Sequence, residues 1–228
     1  MGEAPTSLQV ERDGGIVRLR FNRPAQLNAL DRATAQAFAH ACRDIASDHS
    51  VRAVVIGGAG RAFMAGGDLA ELRADPTGAA LGLIGPMHEA IVLLAEMRAP
   101  VIASLHGAVA GAGLSLALAC DFAIAAEGTR FTLAYVNIGA SCDLAGSWSL
   151  PRLVGLRKAL EIALLGRQRL EINDPDKRYQ LNSLEGEFSG LHLLCLMHAG
   201  IRRLDPQADT GTGLDKEYDM AVAMRGGA

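Results

Sequence analysis

The 228-residue sequence predicts an α/β chain, and three observations carry that prediction. Short apolar runs of strand length alternate with longer segments of helical period. Two Gly/Ala turns, Ala62-Phe63-Met64-Ala65-Gly66-Gly67-Asp68 and Gly107-Ala108-Val109-Ala110-Gly111-Ala112-Gly113, each follow an apolar run and open a helical segment. The order strand, glycine turn, helix therefore occurs after Val51 and again after Pro100, as in a repeated supersecondary unit, although the two sequences are not alike.

A first strand begins at Leu8. After the turn residues Asp13-Gly14-Gly15, Ile16 to Phe21 alternates, with Val17, Leu19 and Phe21 on one face and Arg18 and Arg20 on the other. Asp31 caps a helix whose Phe38, Ala41, Cys42 and Ile45 fall at helical spacing. Val51 to Ile56 is the next strand, followed by the first Gly/Ala turn and a short helix over 68–73. A Pro/Gly loop then leads to a helix over 81–97, and Val101 to Leu105 is again a strand. Phe122 to Ala126 gives a further strand, Tyr135 to Gly146 a loop, and Gly146 to Val154 and Leu156 to Leu165 two helices. Beyond a soft boundary near residue 170 the signal weakens. Helices are predicted over 184–204 and 214–224 with a linker over 205–213, so residues 1–170 form the core and 171–228 a small helical C-terminal region.

Half of the residues are apolar and 21% are charged, as in a globular protein. A net charge of −3 and scattered Lys and Arg form no basic stripe, so nucleic acid is not expected as a partner. Cys42, Cys120, Cys142 and Cys195 make no C-x-x-C pair and read as reduced thiols, which points to the cytoplasm. The N-terminal residues lack a basic region followed by an apolar core. Residues 99–120 carry no Asp, Glu, Lys or Arg, yet Pro100, Gly107, Gly111 and Gly113 break the run. It is read as a buried strand, turn and helix rather than a membrane span. His192 and His198 lie off helical register for sharing an ion, and no metal site is expected.

The two turns point to chemistry because the first amides of a helix lack internal partners and carry the positive end of its dipole. Two such turns converging would make an oxyanion hole, whereas apart they are ordinary strand-to-helix connections. Asp68 fits a helix cap better than an acid. Asp143 is the acidic side chain of the 135–146 loop. Ile138, Leu144 and Trp148 around it would raise its pKa by burial, and as a solvated turn residue it would do nothing.

Read together, N-R-P-A-Q-L-N-A-L at 22–30, R-A-F-M-A-G-G-D-L at 61–69, H-G-A-V-A-G-A-G-L-S-L-A-L-A-C-D at 106–121 and I-G-A-S-C-D at 138–143 resemble the crotonase superfamily of enoyl-CoA hydratases and isomerases. The resemblance covers about residues 8–169 and implies a spiral of strand-strand-helix turns that binds an acyl-CoA thioester. Matched motif to motif, the oxyanion amides are those of Ala65 and Ala112. Gly66, Gly67, Asp68, Leu69, Gly111, Gly113, Ser115 and Tyr135 line the substrate, and Arg23, Leu27 and Ala62 lie on the coenzyme side. Ser115 and Tyr135 stand where hydratases carry two glutamates, so hydration is in doubt, and Asp143 matches the aspartate of epoxyphenylacetyl-CoA isomerases. The implied activity is enoyl-CoA isomerisation by proton transfer through Asp143. The alternatives are hydration, aryl-CoA dehalogenation with the same aspartate as nucleophile, or acyl-CoA binding without turnover. Coenzyme A enters only as part of the substrate, no cofactor is held permanently, no membrane is involved, and a homotrimer or hexamer is implied.

Overall fold

The computed structural model describes residues 6–165, together with the backbone of residues 170–171 and 191–194. Strands β1 (Leu8–Asp13) and β2 (Ile16–Phe21) form a hairpin. It is followed by helix α1 (Arg32–Ser47), strand β3 (Ala53–Gly58), and helices α2 (Leu69–Ala74) and α3 (Pro76–Glu96). Strand β4 (Val101–Leu105), strand β5 (Ala108–Ala110) and helix α4 (Ala112–Ala119) make the next turn of the chain. Strands β6 (Phe122–Ala126) and β7 (Arg130–Thr132), helices α5 (Gly146–Val154) and α6 (Leu156–Leu165), and strands β8 (Leu170–Glu171) and β9 (Leu191–Leu194) complete it.

The main sheet runs β1-β2-β3-β4-β6-β9, antiparallel at its two ends and parallel between β2, β3, β4 and β6. A smaller sheet runs β5-β7-β8, and Met64 bridges to Val109 of β5, so the first Gly/Ala turn contributes to it too. Each circuit of the chain thus lays one strand in the large sheet, a short piece in the small one, and then a helix. This is the spiral of strand-strand-helix units expected from the resemblance.

Alternation in β2 buries Val17, Leu19 and Phe21, which pack with Phe38 of α1 and Phe63 in one core; Phe21 and Phe38 have ring centroids 5.1 Å apart. Asp31 caps α1 by accepting the Thr34 amide at 2.8 Å. Buried Asp121 accepts the Val101 amide at 2.7 Å and so ties the start of β4 to that of β6.

Several boundaries differ from the sequence reading. β3 begins at Ala53 rather than Val51. α3 starts five residues early, because Pro76 occupies its first position, where a missing amide hydrogen is no loss, and Asp75 caps it through Gly78 at 3.0 Å. What reads as a loop from its Pro and Gly is therefore the first turn of that helix. β5, β7 and β8 are short strands that the sequence pattern does not predict. Of the helix predicted over 184–204, residues 191–194 are instead strand β9, because they pair with the open edge of β6. The rest of that helix, the 205–213 linker and the helix over 214–224 lie outside the described residues. α3 is long and apolar enough to cross a membrane by length and composition, but its inner face packs on α1. A Cβ at Gly82 would sit 2.5 Å from Arg32 Cδ, and Glu89 pairs with Arg43 at 2.6 Å.

Candidate active site

The first turn is held from below by residues 23–31. Asn28, buried and in the left-handed region at φ 57°, donates its amide to the carbonyls of Ala59, Ala62 and Phe63 at 2.9, 2.8 and 3.2 Å, while its Oδ1 accepts the Arg23 amide at 2.9 Å. The Arg23 guanidinium reaches Asp31 at 3.2 Å, Asp68 at 3.0 Å and the Ala29 carbonyl, and is only 20% exposed. Arg23, Leu27 and Ala62, assigned to the coenzyme side, thus have internal partners: the guanidinium clasps two carboxylates, and the Leu27 and Ala62 carbonyls accept from Ala65 and Asn28. Asp68 caps α2 through Ala70 at 3.0 Å and Glu71 at 3.4 Å. Burial pushes its carboxyl up, but Arg23 and the two amides outweigh this and hold it below the usual range.

The amide expected at Ala65 needs correction. Its N–H donates to the Leu27 carbonyl at 3.1 Å and is spent on the fold. Two residues on, Leu30 receives Asp68 N–H at 2.9 Å and donates to the Gly66 carbonyl at 2.8 Å, a parallel bridge that turns the amide of Gly67 away from Leu30. Among the described residues no acceptor meets Gly67 N–H. Direction alternates along an extended segment, so the free donor falls on Gly67 rather than Ala65.

The second turn lies directly against the first. Gly66, at φ 105°, comes so close that a Cβ there would be 3.8 Å from Ala112 N, and a Cβ at Gly111 would be 3.5 Å from Gly66 Cα. Ala112 is the first residue of α4, after Gly111 at φ 51°, and its amide has no acceptor within the helix. Gly113, grouped with the substrate-lining residues, serves packing: a Cβ there would meet Met64 O at 2.5 Å. Leu69 is exposed on α2.

One helical turn beyond Ala112, fully buried Ser115 bonds the Tyr135 hydroxyl at 3.0 Å, and Tyr135 donates onward to Asp143 Oδ1. Two hydrogen bonds therefore tie the lone carboxyl of the 135–146 loop to the helix whose start carries Ala112. Burial pushes Asp143 above the usual carboxylate range, against the opposing pull of the Tyr135 hydrogen bond, and burial with the neighbouring carboxylate pushes the Tyr135 phenol up as well. Leu144 is buried as expected, but Ile138 and Trp148 are 55% and 38% exposed, and Arg152 stacks on Trp148 at 4.0 Å. His88 is a further residue of the site. Its Nε2 accepts the Leu144 amide at 3.2 Å from α3, fifty-five positions before Asp143, and no local pattern announces it. Burial and then Asp143 raise the Cys142 thiol, which disfavours its thiolate. Among the described residues no group of three or more His, Cys, Asp and Glu is placed to hold a metal ion.

Known proteins share the sequence and the fold of this chain. The chain matches the Enoyl-CoA hydratase/isomerase family over residues 11–172. It is 38% identical over 158 residues to 1,2-epoxyphenylacetyl-CoA isomerase of Escherichia coli (strain K12), covering 68% of this chain and 60% of that protein. It is 35% identical over 167 residues to 4-chlorobenzoyl coenzyme A dehalogenase-2 of Arthrobacter sp, covering 70% and 59%. The crystal structure of an enoyl-CoA hydratase from Polaromonas sp. JS666 superposes with a TM-score of 0.67 at 36% identity, covering 72% of this chain and 65% of that one. The matched stretch thus spans less than two thirds of these relatives.

Proposed function

Because the chain belongs to the enoyl-CoA hydratase/isomerase family of the crotonase superfamily, we propose that it isomerises enoyl-CoA thioesters by stabilising an enolate and moving a single proton through Asp143. The observation that carries this reading is the Ser115–Tyr135–Asp143 chain. A single carboxyl tied to the helix that begins at Ala112 supports movement of one proton, and a serine and a protonated tyrosine stand where the resemblance puts the two glutamates that activate water in hydratases.

With a 3-enoyl-CoA bound, its thioester oxygen lies between the amides of Gly67 and Ala112. Asp143 takes a proton from C2, and the electron pair of that bond moves toward the thioester oxygen as a dienolate, whose charge the two amides and the positive end of α4 stabilise. Asp143 then returns the proton to C4, leaving the double bond between C2 and C3. Coenzyme A is part of the substrate, and no separate cofactor takes part. On this reading the protein is cytoplasmic and assembles as a homotrimer or hexamer.

Aryl-CoA dehalogenation is the second reading, favoured by His88. Asp143 would displace chloride from the ring to form an aryl ester, and His88 would activate the water that hydrolyses it. It ranks lower because Tyr135 ties up one oxygen of the would-be nucleophile and the Leu144 amide occupies Nε2 of His88.

Turnover of a 3-enoyl-CoA by the wild type and by Asp143→Asn decides between them. Isomerisation that falls by about 10²–10⁴-fold while acyl-CoA binding persists supports the proposal. Chloride release from 4-chlorobenzoyl-CoA without isomerisation supports the second reading, and acyl-CoA binding with no turnover supports a binding protein.

A further inference from the structure

Tyr135 is buried and enters its 3-10 turn (Tyr135–Ile138) from Ala134, a non-glycine residue in the left-handed region at φ 64°. A phenol carries one proton. Since that proton is donated to Asp143 Oδ1, the 3.0 Å contact with Ser115 must run the other way, Ser115 donating and Tyr135 accepting. Ser115 has little freedom to turn elsewhere, because Gly146 closes over it so tightly that a Cβ there would lie 2.4 Å from its Oγ. The groups facing Asp143 are Tyr135 from the 3-10 turn, His88 from α3, and Cys142 from its own loop, with Ser115 of α4 behind the phenol.

Resting on the proton-transfer reading above, we infer that Tyr135, backed by Ser115, is a positioning residue that holds one oxygen of Asp143 and keeps the carboxylate ionised until substrate arrives. A hydrogen bond from the phenol is stronger to a carboxylate than to a carboxylic acid. Taking the substrate proton weakens the Tyr135 bond, and giving the proton back restores it. The chain Ser115 to Tyr135 to Asp143 therefore favours return of the proton to carbon, with the proton carried on the oxygen that Tyr135 does not hold. Donation from Ser115 polarises the phenol and makes it the better donor.

The test is a pH titration of the Asp143 carboxyl by carbon NMR in the full chain labelled with ¹³C-aspartate, the resonance being identified by its loss in Asp143→Asn. Tyr135→Phe is expected to move the Asp143 midpoint upward. Ser115→Ala should move it upward by less, and fluorotyrosine at position 135, a more acidic phenol, should move it downward. The acid limb of the kcat profile should follow each shift. A Tyr135→Phe midpoint equal to that of the wild type, or a fluorotyrosine midpoint that does not fall, overturns the inference. Should Tyr135→Phe fail to fold, the Ser115 and fluorotyrosine proteins carry the same test. Midpoints that move as expected while Asp143→Asn keeps its turnover leave the positioning role standing and remove the proton-transfer reading. Unmoved midpoints with turnover lost in Asp143→Asn remove the positioning role alone.

Discussion

The turn at residues 62–68 and the loop at residues 134–146 serve one proposed reaction and are built in opposite ways. The turn is fixed many times over: three carbonyls around it accept from Asn28, two backbone bonds bridge it to Leu30, Arg23 clasps Asp68, and its left-handed position is a glycine. The loop places three non-glycine residues, Ala134, Leu144 and Ala145, in the left-handed region, and its acid reaches the rest of the fold through Tyr135. Even the carboxylates differ in sign, Asp68 being held below the usual range and Asp143 pushed above it. A backbone donor needs only rigidity, whereas a base that must take up and release a proton requires an environment that disfavours its charge. The strain and the buried charge are what that requirement costs the fold.

The largest effect is expected from removing a backbone donor. Ala112→Pro puts a ring methylene in place of one amide hydrogen at the first position of a helix, where proline is tolerated, and should lower kcat by about 10²–10³-fold or more. A kcat within a factor of about two of the wild type would mean that this amide does not meet the developing charge. Next in size, Asn28→Ala strips partners from buried carbonyls and should destabilise the chain by about 3 kcal/mol in denaturant melts. Gly113→Ala puts a Cβ against the Met64 carbonyl, which cannot swing away as a side chain end would. A loss of about 1–3 kcal/mol is expected, despite the better helix propensity of alanine.

The smallest effect carries the sign of the contrast. The folded-state pKa of Asp68 is depressed, so its contribution is present above its unfolded value and lost as pH falls through the folded one. The folded-state pKa of Asp143 is raised, so the fold gains stability as pH drops from that value toward the unfolded one. At pH 7 Asp68→Asn should therefore lower Tm and Asp143→Asn raise it, and the gain in Asp143→Asn should vanish in acid. Melting curves from pH 7 to pH 4 check both signs.

Much of this arrangement was legible because it is local. The two bends, the caps at Asp31 and Asp68, and Asp143 as the acid of its loop each follow from a few adjacent residues, as do helices α5 and α6 at their observed bounds. What sequence could not give is decided by distant partners. Whether Ala65 or Gly67 offers the amide depends on which neighbours bond to Leu27 and Leu30, and the Arg23 clasp closes only when Asp31 and Asp68 are brought to it. His88 meets the Leu144 amide across two elements that no motif links. The start of α3 was missed for the contrary reason: Asp75-Pro76 carries a cap and a first-turn proline, but the same pair also reads as a loop.

The proposed reaction turns on where the substrate oxygen sits. A crystal structure of the Asp143→Asn protein with a bound 3-enoyl-CoA tests this most directly. The thioester oxygen is expected within hydrogen-bond reach of both Gly67 N and Ala112 N, with residue 143 beside C2. A thioester oxygen on neither amide, or residue 143 on the far side of the acyl group from C2, would contradict it.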